Sequence, residues 1–265
     1  MRWLLVPALL MAAPAFADDA DVLAQLKKGG MATVTEVVDG DTVIIQPALG
    51  GARQIRLVGI QAPKLPLGRK GFRPWPLAPD SKRALERMAL RRTVTLAFGG
   101  TRMDRHGRHL AHLFRDDGVW LQGRLLADGM ARTYTFPDNR AVAADMLARE
   151  DAARGAKLGI WSHPFYAVRQ AMPADLMKRL GTFQLIEGVV VSAARVKSRV
   201  YLNFGDNWRT DFTVALDGLA RRRFEKAGFD PLAFKARRLR VRGWLRKRNG
   251  PMIDATHPEQ IESIE

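Results

Sequence analysis

The stretch Ile55-Arg56-Leu57-Val58-Gly59-Ile60-Gln61-Ala62-Pro63 decides the fold of the first half of this 265-residue chain. It is rich in apolar and β-branched residues, which predicts a strand over 54–60. Upstream lies Val38-Asp39-Gly40-Asp41-Thr42-Val43, where Asp-Gly between apolar runs predicts a hairpin turn. The two segments together predict three consecutive strands.

The order of the predicted elements is the same in the two halves of the chain. The first half has predicted strands over 31–38, 42–46, 54–60, 93–98 and 109–114, with a helix over 81–91, capped by Asp80, after the third; helices over 119–128 and 140–154 follow. The second half has predicted strands over 186–196, 199–204, 211–216, 239–245 and 251–253, with a helix over 219–226 after the third.

Three strands, a helix and two strands suit a small closed Greek-key barrel, the OB-fold. The predicted fold class is therefore mainly β or α+β. We expect a first barrel domain with helices over 30–161, a linker over 162–182, and a second, basic OB-like barrel over 183–265.

The composition narrows the possible functions. The absence of Cys excludes disulfide scaffolds, thiolate metal sites and cysteine nucleophiles. An apolar fraction of 47% argues for packed domains, and 43 basic against 27 acidic residues give a net charge of +16. This excess predicts a polyanionic partner, which is nucleic acid, an anionic membrane surface or an acidic polysaccharide.

The first 17 residues, MRWLLVPALLMAAPAFA, have the pattern of a secretory signal peptide. Arg2 supplies the positive start, an apolar stretch follows, and Ala15-Phe16-Ala17 is a small-x-small cleavage site. We expect export to the periplasm or the medium, with a mature chain that begins near Asp18. The apolar stretch is too short to span a bilayer, and no other window reaches transmembrane length.

Four short segments of the first half occur in a characteristic order. They are Val38–Val43, Ile55–Pro63, Asp104-Arg105-His106-Gly107-Arg108, and Lys157-Leu158-Gly159-Ile160-Trp161. With this order and spacing, residues 30–161 resemble the thermonuclease family, the staphylococcal-nuclease-like OB-fold. The resemblance implies hydrolysis of phosphodiesters in DNA or RNA. It also implies one Ca²⁺ held by carboxylates, a glutamate that handles the attacking water, and two arginines on the phosphate oxygens.

The resemblance carries over unevenly to the site residues. Asp41 matches the first metal carboxylate, and Arg56 and Arg108 match the two phosphate-binding arginines. Gln61 stands at the position of the second metal carboxylate, and Lys64 stands where the family has its glutamate. The family has a carboxylate at each of the positions of Asp41, Gln61 and Lys64, so the summed charge of these positions changes from −3 in the family to 0 in this chain. The affinity of a site for Ca²⁺ follows the charge of its ligands. We therefore expect impaired or altered chemistry and poor Ca²⁺ binding.

Three explanations of this altered site are open. The catalytic site is lost and the phosphate clamp retained, which gives a non-catalytic nucleic-acid- or phosphate-binding protein of the cell envelope. Alternatively catalysis is rewired, with Asp39 and Asp41 holding a metal or with Lys64 supplying positive charge in its place. In the third explanation the true alignment is shifted by a residue or two and the glutamate lies elsewhere.

A second basic feature lies near the C-terminus, in Arg237–Arg248 (RRLRVRGWLRKR). On a strand, Leu239 and Val241 share the buried face, and the opposite face carries Arg238, Arg240, Arg242 and Trp244. OB-folds bind single strands on basic, aromatic-bearing faces, which predicts nucleic-acid binding by these four residues. The alternative is a solvated edge strand whose charges prevent aggregation. Tyr201 and Trp208 either add stacking surface or belong to the core.

Overall fold

The computed structural model describes residues 17–264. The predicted signal peptide lies outside the described residues, apart from Ala17. The elements of the first half are α1 (Asp19–Ala24), β1 (Lys27–Asp39), β2 (Thr42–Leu49), β3 (Ala52–Leu57), β4 (Gly59–Gln61), α2 (Ala78–Ala89), β5 (Thr93–Phe98), β6 (His109–Arg115), α3 (Leu121–Ala127), β7 (Arg132–Tyr134) and α4 (Ala143–Gly155).

Five of these strands form a closed barrel in the order β1-β2-β3-β6-β5, which confirms the predicted OB-fold. Neighbouring strands are antiparallel except β3 and β6, which are parallel. The short strands β4 and β7 pair outside the barrel. Helices α2 and α3 contribute apolar side chains to the barrel core. The start of α2 differs from the prediction, because Leu77 rather than Asp80 is the N-cap and Pro79 occupies the first turn, where proline is favoured.

The elements of the second half are β8 (Arg169–Gln170), α5 (Pro173–Leu176), β9 (Phe183–Val189), β10 (Ser192–Val196), β11 (Arg199–Asn203), β12 (Thr213–Leu216), α6 (Gly218–Lys226), β13 (Arg238–Trp244), β14 (Arg246–Arg248), β15 (Gly250–Asp254) and β16 (Ile261–Ser263). Strand β8 lies within 162–182 and pairs with β9, so part of the predicted linker belongs to a sheet. The domain boundaries stay a prediction.

The second half repeats the strand order of the first barrel. Its strands pair as two sheets, β10-β11-β12-β15-β14 and β16-β13-β9-β8. Only Val190 and Val191 separate β9 from β10, and only Leu245 separates β13 from β14. When each pair is taken as one bent strand, the order matches the first barrel, including the parallel pairing of the third and fifth strands, β12 and β15. The two sheets enclose one apolar core, as expected of an OB-like barrel.

The prediction that the outer face of β13 binds nucleic acid is wrong for two of its four residues, Arg240 and Arg242. Leu239 and Val241 are buried in the second core, as the alternation predicts. The opposite face packs against the first half, and Arg242 is only 1% exposed. Arg242 binds Glu150 of α4 at 3.0 Å and also pairs with Glu262. Arg240 pairs with three carboxylates, those of Asp151, Glu187 and Glu262.

The other two residues of that face lie at its exposed ends. Arg238 lies 3.8 Å from Glu187, and the indole Nε1 of Trp244 donates a hydrogen bond to Tyr134 Oη at 2.8 Å. Acidic side chains neutralise the arginines of this face, so it does not present unpaired positive charge to a ligand. The outer face of β13 instead forms part of the contact between the two halves. The alternative prediction, a solvated edge strand, is wrong as well, since β13 pairs on both sides, with β9 and β16.

Candidate functional site

The turn between β1 and β2 places a carboxylate in the interior. The N–H of Asp41 donates to Oδ1 of Asp39 at 3.1 Å, and the Asp41 side chain is inaccessible to solvent. Gly40 allows this close approach, because a Cβ at that position would lie 2.1 Å from Ser81 Oγ and 2.7 Å from Ala62 Cβ. The turn therefore fixes the carboxylate of Asp41 against the segment that follows β4.

One oxygen of Asp41 binds two cationic side chains and a backbone amide. Its Oδ2 accepts hydrogen bonds from Lys64 Nζ at 2.7 Å and from the N–H of Ala62 at 2.8 Å. Arg56 Nη2 lies 3.1 Å from the same oxygen. Lys64 Nζ is also 4.0 Å from Oδ2 of Asp39. The sequence-predicted residues Asp41, Arg56 and Lys64 thus meet in one cluster.

Arg56 is held by the backbone around it. Its guanidinium donates to the carbonyl oxygens of Leu57 at 2.5 Å, Ile60 at 2.6 Å and Asp41 at 3.2 Å. Its side chain is 8% exposed. Arg56 therefore organises the β3–β4 connection, with little of its guanidinium left open to a phosphate.

The pKa values of the cluster follow from burial and charge. Burial raises the pKa of Asp41, but Arg56 and Lys64 outweigh it and lower that pKa to about 2. Burial, together with the nearby Asp41 carboxylate, raises the pKa of Asp39 above its ordinary value. Burial lowers the pKa of Lys64, an effect opposed by Asp41. Asp41 is thus the carboxylate that these cations keep ionised.

Arg108 lines a cavity of about 460 Å³ beside this cluster. Asp104 shapes its loop by accepting hydrogen bonds from the N–H groups of His106 and Arg108, both at 2.9 Å. The Arg108 guanidinium, 46% exposed, pairs with Asp104 at 2.7 Å. Arg56 lines the same cavity. The two predicted phosphate-binding arginines therefore face one space, the first-half cavity.

The chain is similar to proteins of one family over its first half. The family model described as staphylococcal nuclease homologue matches residues 54–163. Protein ParB of Escherichia coli is 32% identical over 149 residues, which cover 49% of this chain and 72% of ParB. The chain belongs to the staphylococcal nuclease family.

Two further relatives match over shorter shares of their own length. The SPbeta prophage-derived endonuclease YokF of Bacillus subtilis (strain 168) is 29% identical over 136 residues, 51% of this chain and 45% of YokF. An uncharacterized protein of Bacillus anthracis is 28% identical over 131 residues, 49% of this chain and 59% of that protein. The staphylococcal nuclease family suggests hydrolysis of DNA or RNA, and its nucleases generally use Ca²⁺.

Gln61, predicted at a metal-ligand position, has a different partner in this member of the family. Its Oε1 accepts hydrogen bonds from Nε and Nη2 of Arg132 at 2.9 and 2.6 Å. Both side chains are buried. The amide oxygen of Gln61 is therefore occupied by hydrogen bonds from Arg132 of β7. The prediction that Gln61 serves as a metal ligand has no support in this geometry.

The donor set around Asp41 does not fit Ca²⁺. A Ca²⁺ ion takes six to eight oxygen ligands, whereas Oδ2 of Asp41 already accepts two hydrogen bonds and an ion pair. The ammonium of Lys64 occupies the near side of that carboxylate and would repel a divalent cation. Within residues 17–264, no group of three or more His, Cys, Asp or Glu side chains is arranged to hold a metal ion.

The sequence prediction missed three residues around the site. Arg132 holds Gln61, Tyr134 lines the first-half cavity, and Arg223 reaches the cavity from α6 of the second half. The alternation in Tyr134-Thr135-Phe136 places both rings on one side of a strand, a signal that could have indicated an aromatic wall. Arg223 carried no such signal, because only the packing of the two halves brings α6 to the cavity.

Proposed function

We propose that this protein binds nucleic-acid phosphates and has lost the Ca²⁺-dependent hydrolysis of its family. The observation that carries the proposal is the 2.7 Å contact between Lys64 Nζ and Asp41 Oδ2. A fixed ammonium there neutralises the carboxylate on which a metal would depend. Protonated lysine has no acceptor and cannot act as a base toward water.

Phosphate binding is supported by the charges around the first-half cavity. Arg105, Arg108 and Arg223 line it, and the guanidinium is the side chain best suited to phosphate oxygens. Arg56 also lines it, but its guanidinium is largely enclosed and contributes positive charge more than direct contacts. In the described part of the chain, no carboxylate lies within ion-pair distance of Arg105 or Arg223. The cavity also exposes the rings of Tyr134 and Phe136, which meet edge to face at 4.8 Å. A nucleotide has a phosphate that the arginines can bind and a flat base that can pack against these rings.

A second candidate function is metal-independent hydrolysis. It is favoured by the same contact, because the Lys64 ammonium supplies positive charge next to a buried carboxylate and beside Arg56. Fixed positive charge stabilises the charge that develops on a phosphate in the transition state. Activity measured in the presence of a chelator separates this candidate from the first.

The binding experiment compares the parent with two matched variants. Arg108→Ala removes an exposed arginine paired with an aspartate four residues away, and Arg124→Ala removes the same kind of pair from helix α3, which does not line the cavity. We expect steeply salt-dependent binding of DNA and RNA oligonucleotides by the parent. Arg108→Ala should bind several-fold more weakly, and Arg124→Ala should bind like the parent. Equal affinity of all three proteins would contradict phosphate binding at the first-half cavity.

The cleavage experiment uses plasmid and single-stranded substrates with Ca²⁺, Mg²⁺ or chelator. The first proposal expects no cleavage above that of Arg108→Ala under any condition. Cleavage that persists in chelator and disappears in Lys64→Gln would support the second candidate. Cleavage that requires Ca²⁺ would show that the family chemistry is intact and that both candidates are wrong.

The proposal includes export from the cytoplasm, which rests on the signal-peptide pattern of residues 1–17. Among the described residues, no helix is both long and apolar enough to cross a membrane. Expression in the source organism, followed by fractionation and N-terminal sequencing, tests export. We expect protein in the periplasm or medium that begins near Asp18. Full-length protein confined to the cytoplasm would contradict export.

A further inference from the structure

The sheet β10-β11-β12-β15-β14 of the second barrel has a recessed outer face. Its inner face contributes Val200, Leu202 and Val214 to the second core. The outer face encloses a groove of about 440 Å³, which we name the second-barrel groove. It is lined by Ala194, Val196, Tyr201, Asn203, Trp208, Thr213, Arg248, Asn249 and Met252.

Two aromatic rings stand in this groove outside the core. Trp208 is 53% exposed although tryptophan is usually among the more buried residue types. The guanidinium of Arg209 lies 4.3 Å from the centre of the Trp208 ring and supports the indole. Tyr201 alternates along β11 with the core residues Val200 and Leu202, so its ring belongs to the outer face. The groove thus offers aromatic surface to a ligand.

The arginines around the groove differ from those of β13 in having no acidic partner. Arg248 lines the groove, and Arg199 lies on the same face of β11 as Tyr201. Within the described chain, neither guanidinium has a carboxylate within 4.0 Å. Arg240 and Arg242 on β13 are, by contrast, each paired with at least two. Two arginines without an acidic partner therefore lie on the same sheet as Tyr201.

The groove also lies at a position where OB-folds bind ligands. Strands β11 and β12 are the second and third strands of the barrel, and the turn at Arg248–Asn249 joins the fourth to the fifth. OB-folds bind oligonucleotides and oligosaccharides on the second and third strands and on the loops 1–2 and 4–5. Val196 ends β10 next to the first of these connections, and Asn249 belongs to the second; both line the groove.

We propose that the second-barrel groove binds single-stranded nucleic acid. Bases stack on Trp208 and Tyr201, and phosphates bind Arg248 and Arg199. Exposed rings next to unpaired arginines match a polymer that alternates flat bases with negative charges. An acidic polysaccharide matches the arginines but has no aromatic ring to stack. The inference does not depend on the first-half cavity, and a protein that fails to bind there can still bind here.

The test uses the full chain carrying Arg108→Ala, so that the first-half cavity is weakened in every protein compared. The probe is a labelled oligothymidylate of about 12 nucleotides, which is within the site size of an OB-fold. Trp208→Ala and Tyr201→Ala each remove a ring, and Phe229→Ala removes a ring that is about as exposed as that of Trp208 and lies outside the groove. Arg248→Ala removes a groove charge, and Arg222→Ala removes an exposed charge from α6.

We expect Trp208→Ala and Tyr201→Ala each to raise the Kd about tenfold, the effect of losing one base–aromatic stack. Trp208→Phe should retain most of the affinity, and oligonucleotide should quench the fluorescence of the Arg108→Ala protein more than that of its Trp208→Phe derivative. Phe229→Ala and Arg222→Ala should bind like their background. Groove variants that bind as tightly as these controls would overturn the proposal. So would tighter binding of an acidic polysaccharide than of the oligonucleotide through the same residues.

Discussion

Arg132 donates two hydrogen bonds to Oε1 of Gln61, at 2.9 and 2.6 Å, although the two residues are 71 positions apart. Nη1 of Arg132 donates a third, at 3.1 Å, to the carbonyl of Phe183 in β9. The pair therefore ties the segment after β3 to the second half of the chain. Burial lowers the pKa of Arg132 to about 10, so the guanidinium stays charged at neutral pH and needs its acceptors.

Substitutions of Gln61 should change the free energy of unfolding and not the binding of Ca²⁺. Gln61→Ala leaves two donors of a buried guanidinium without an acceptor, which costs about 1–3 kcal/mol. Gln61→Glu supplies a charged acceptor of the same length and should unfold at the same or a higher temperature. Thermal unfolding with and without Ca²⁺ measures both effects. A rise of Tm with Ca²⁺ in Gln61→Glu alone would mean that position 61 reaches the site of Asp41 after all.

Lys64→Glu should create a protein that is less stable without metal and is stabilised by Ca²⁺. The substitution places a carboxylate beside Asp39 and Asp41 and removes the ammonium that now neutralises Asp41. Like charges in this buried turn repel, and a hard divalent cation relieves the repulsion. A ligand that binds only the folded state raises Tm with its concentration.

The control for this prediction is Lys64→Gln, which removes the ammonium without adding a carboxylate. We expect Ca²⁺ to raise the Tm of Lys64→Glu by several degrees and to leave both the parent and Lys64→Gln unchanged. If the parent gains as much as Lys64→Glu, the Lys64 ammonium does not prevent metal binding and the proposed loss of the family chemistry is wrong.

The first barrel and part of its site follow from local sequence, because turn chemistry and strand alternation act between neighbouring residues. Asp39-Gly40-Asp41 forms the predicted turn, and Arg56 and Lys64 reach Asp41 as their positions imply. The partners of β13 do not follow from local sequence. Alternation correctly separates Leu239 and Val241 from Arg240 and Arg242, but it does not say what the basic face contacts.

The acids that cover this face lie 20 to 92 residues from their arginines and become neighbours only in the folded chain. Glu187 and Glu262 arrive by strand pairing within the second half, and Glu150 and Asp151 by the packing of the two halves. The same holds for Arg132 and Gln61, whose pairing required the fold of both strands β4 and β7. The sequence of a basic stretch therefore gives the number of positive charges, but only the folded structure shows which of them are paired with acidic side chains.

Arg242→Met should destabilise the protein far more than a comparable change at an exposed pair. Arg242 and Glu150 are both inaccessible, and within residues 17–264 Glu150 would keep only Arg154 and the N–H of Thr133 as partners. Breaking a buried pair on one side costs about 3–5 kcal/mol. Arg246→Met, which breaks an exposed pair with Asp254, should cost less than about 1 kcal/mol.

Urea unfolding of the two variants and of the double variant Arg242→Met/Glu150→Gln checks this prediction. The double variant should be less destabilised than the sum of its single changes, because Gln keeps an acceptor for the Thr133 N–H without leaving a negative charge unpaired. Equal costs for Arg242→Met and Arg246→Met would show that the interface between the halves does not depend on this ion pair.

The stability of the protein should fall as the pH drops from about 6.5 to about 4. Burial lowers the pKa of His112 to about 3 and that of His257 to about 4, from an ordinary value of 6.5. In this window the unfolded chain takes up protons that the folded chain excludes, so protonation favours unfolding. Each histidine then contributes a slope of about 1.4 kcal/mol per pH unit toward lower stability. Asp41, with its pKa of about 2, loses its stabilising charge only below this range.

His257→Gln isolates one of the two contributions. The imidazole of His257 bonds to the hydroxyls of Thr135 and Thr256, both at 2.9 Å, and a neutral amide can replace it without titrating. Chemical unfolding at a series of pH values from 8 to 4 should show about half the acid slope of the parent in His257→Gln, with a constant difference between the two proteins above pH 7. A parallel decline of both proteins down to pH 4 would mean that His257 is protonated in the folded state and that its burial does not oppose the charge.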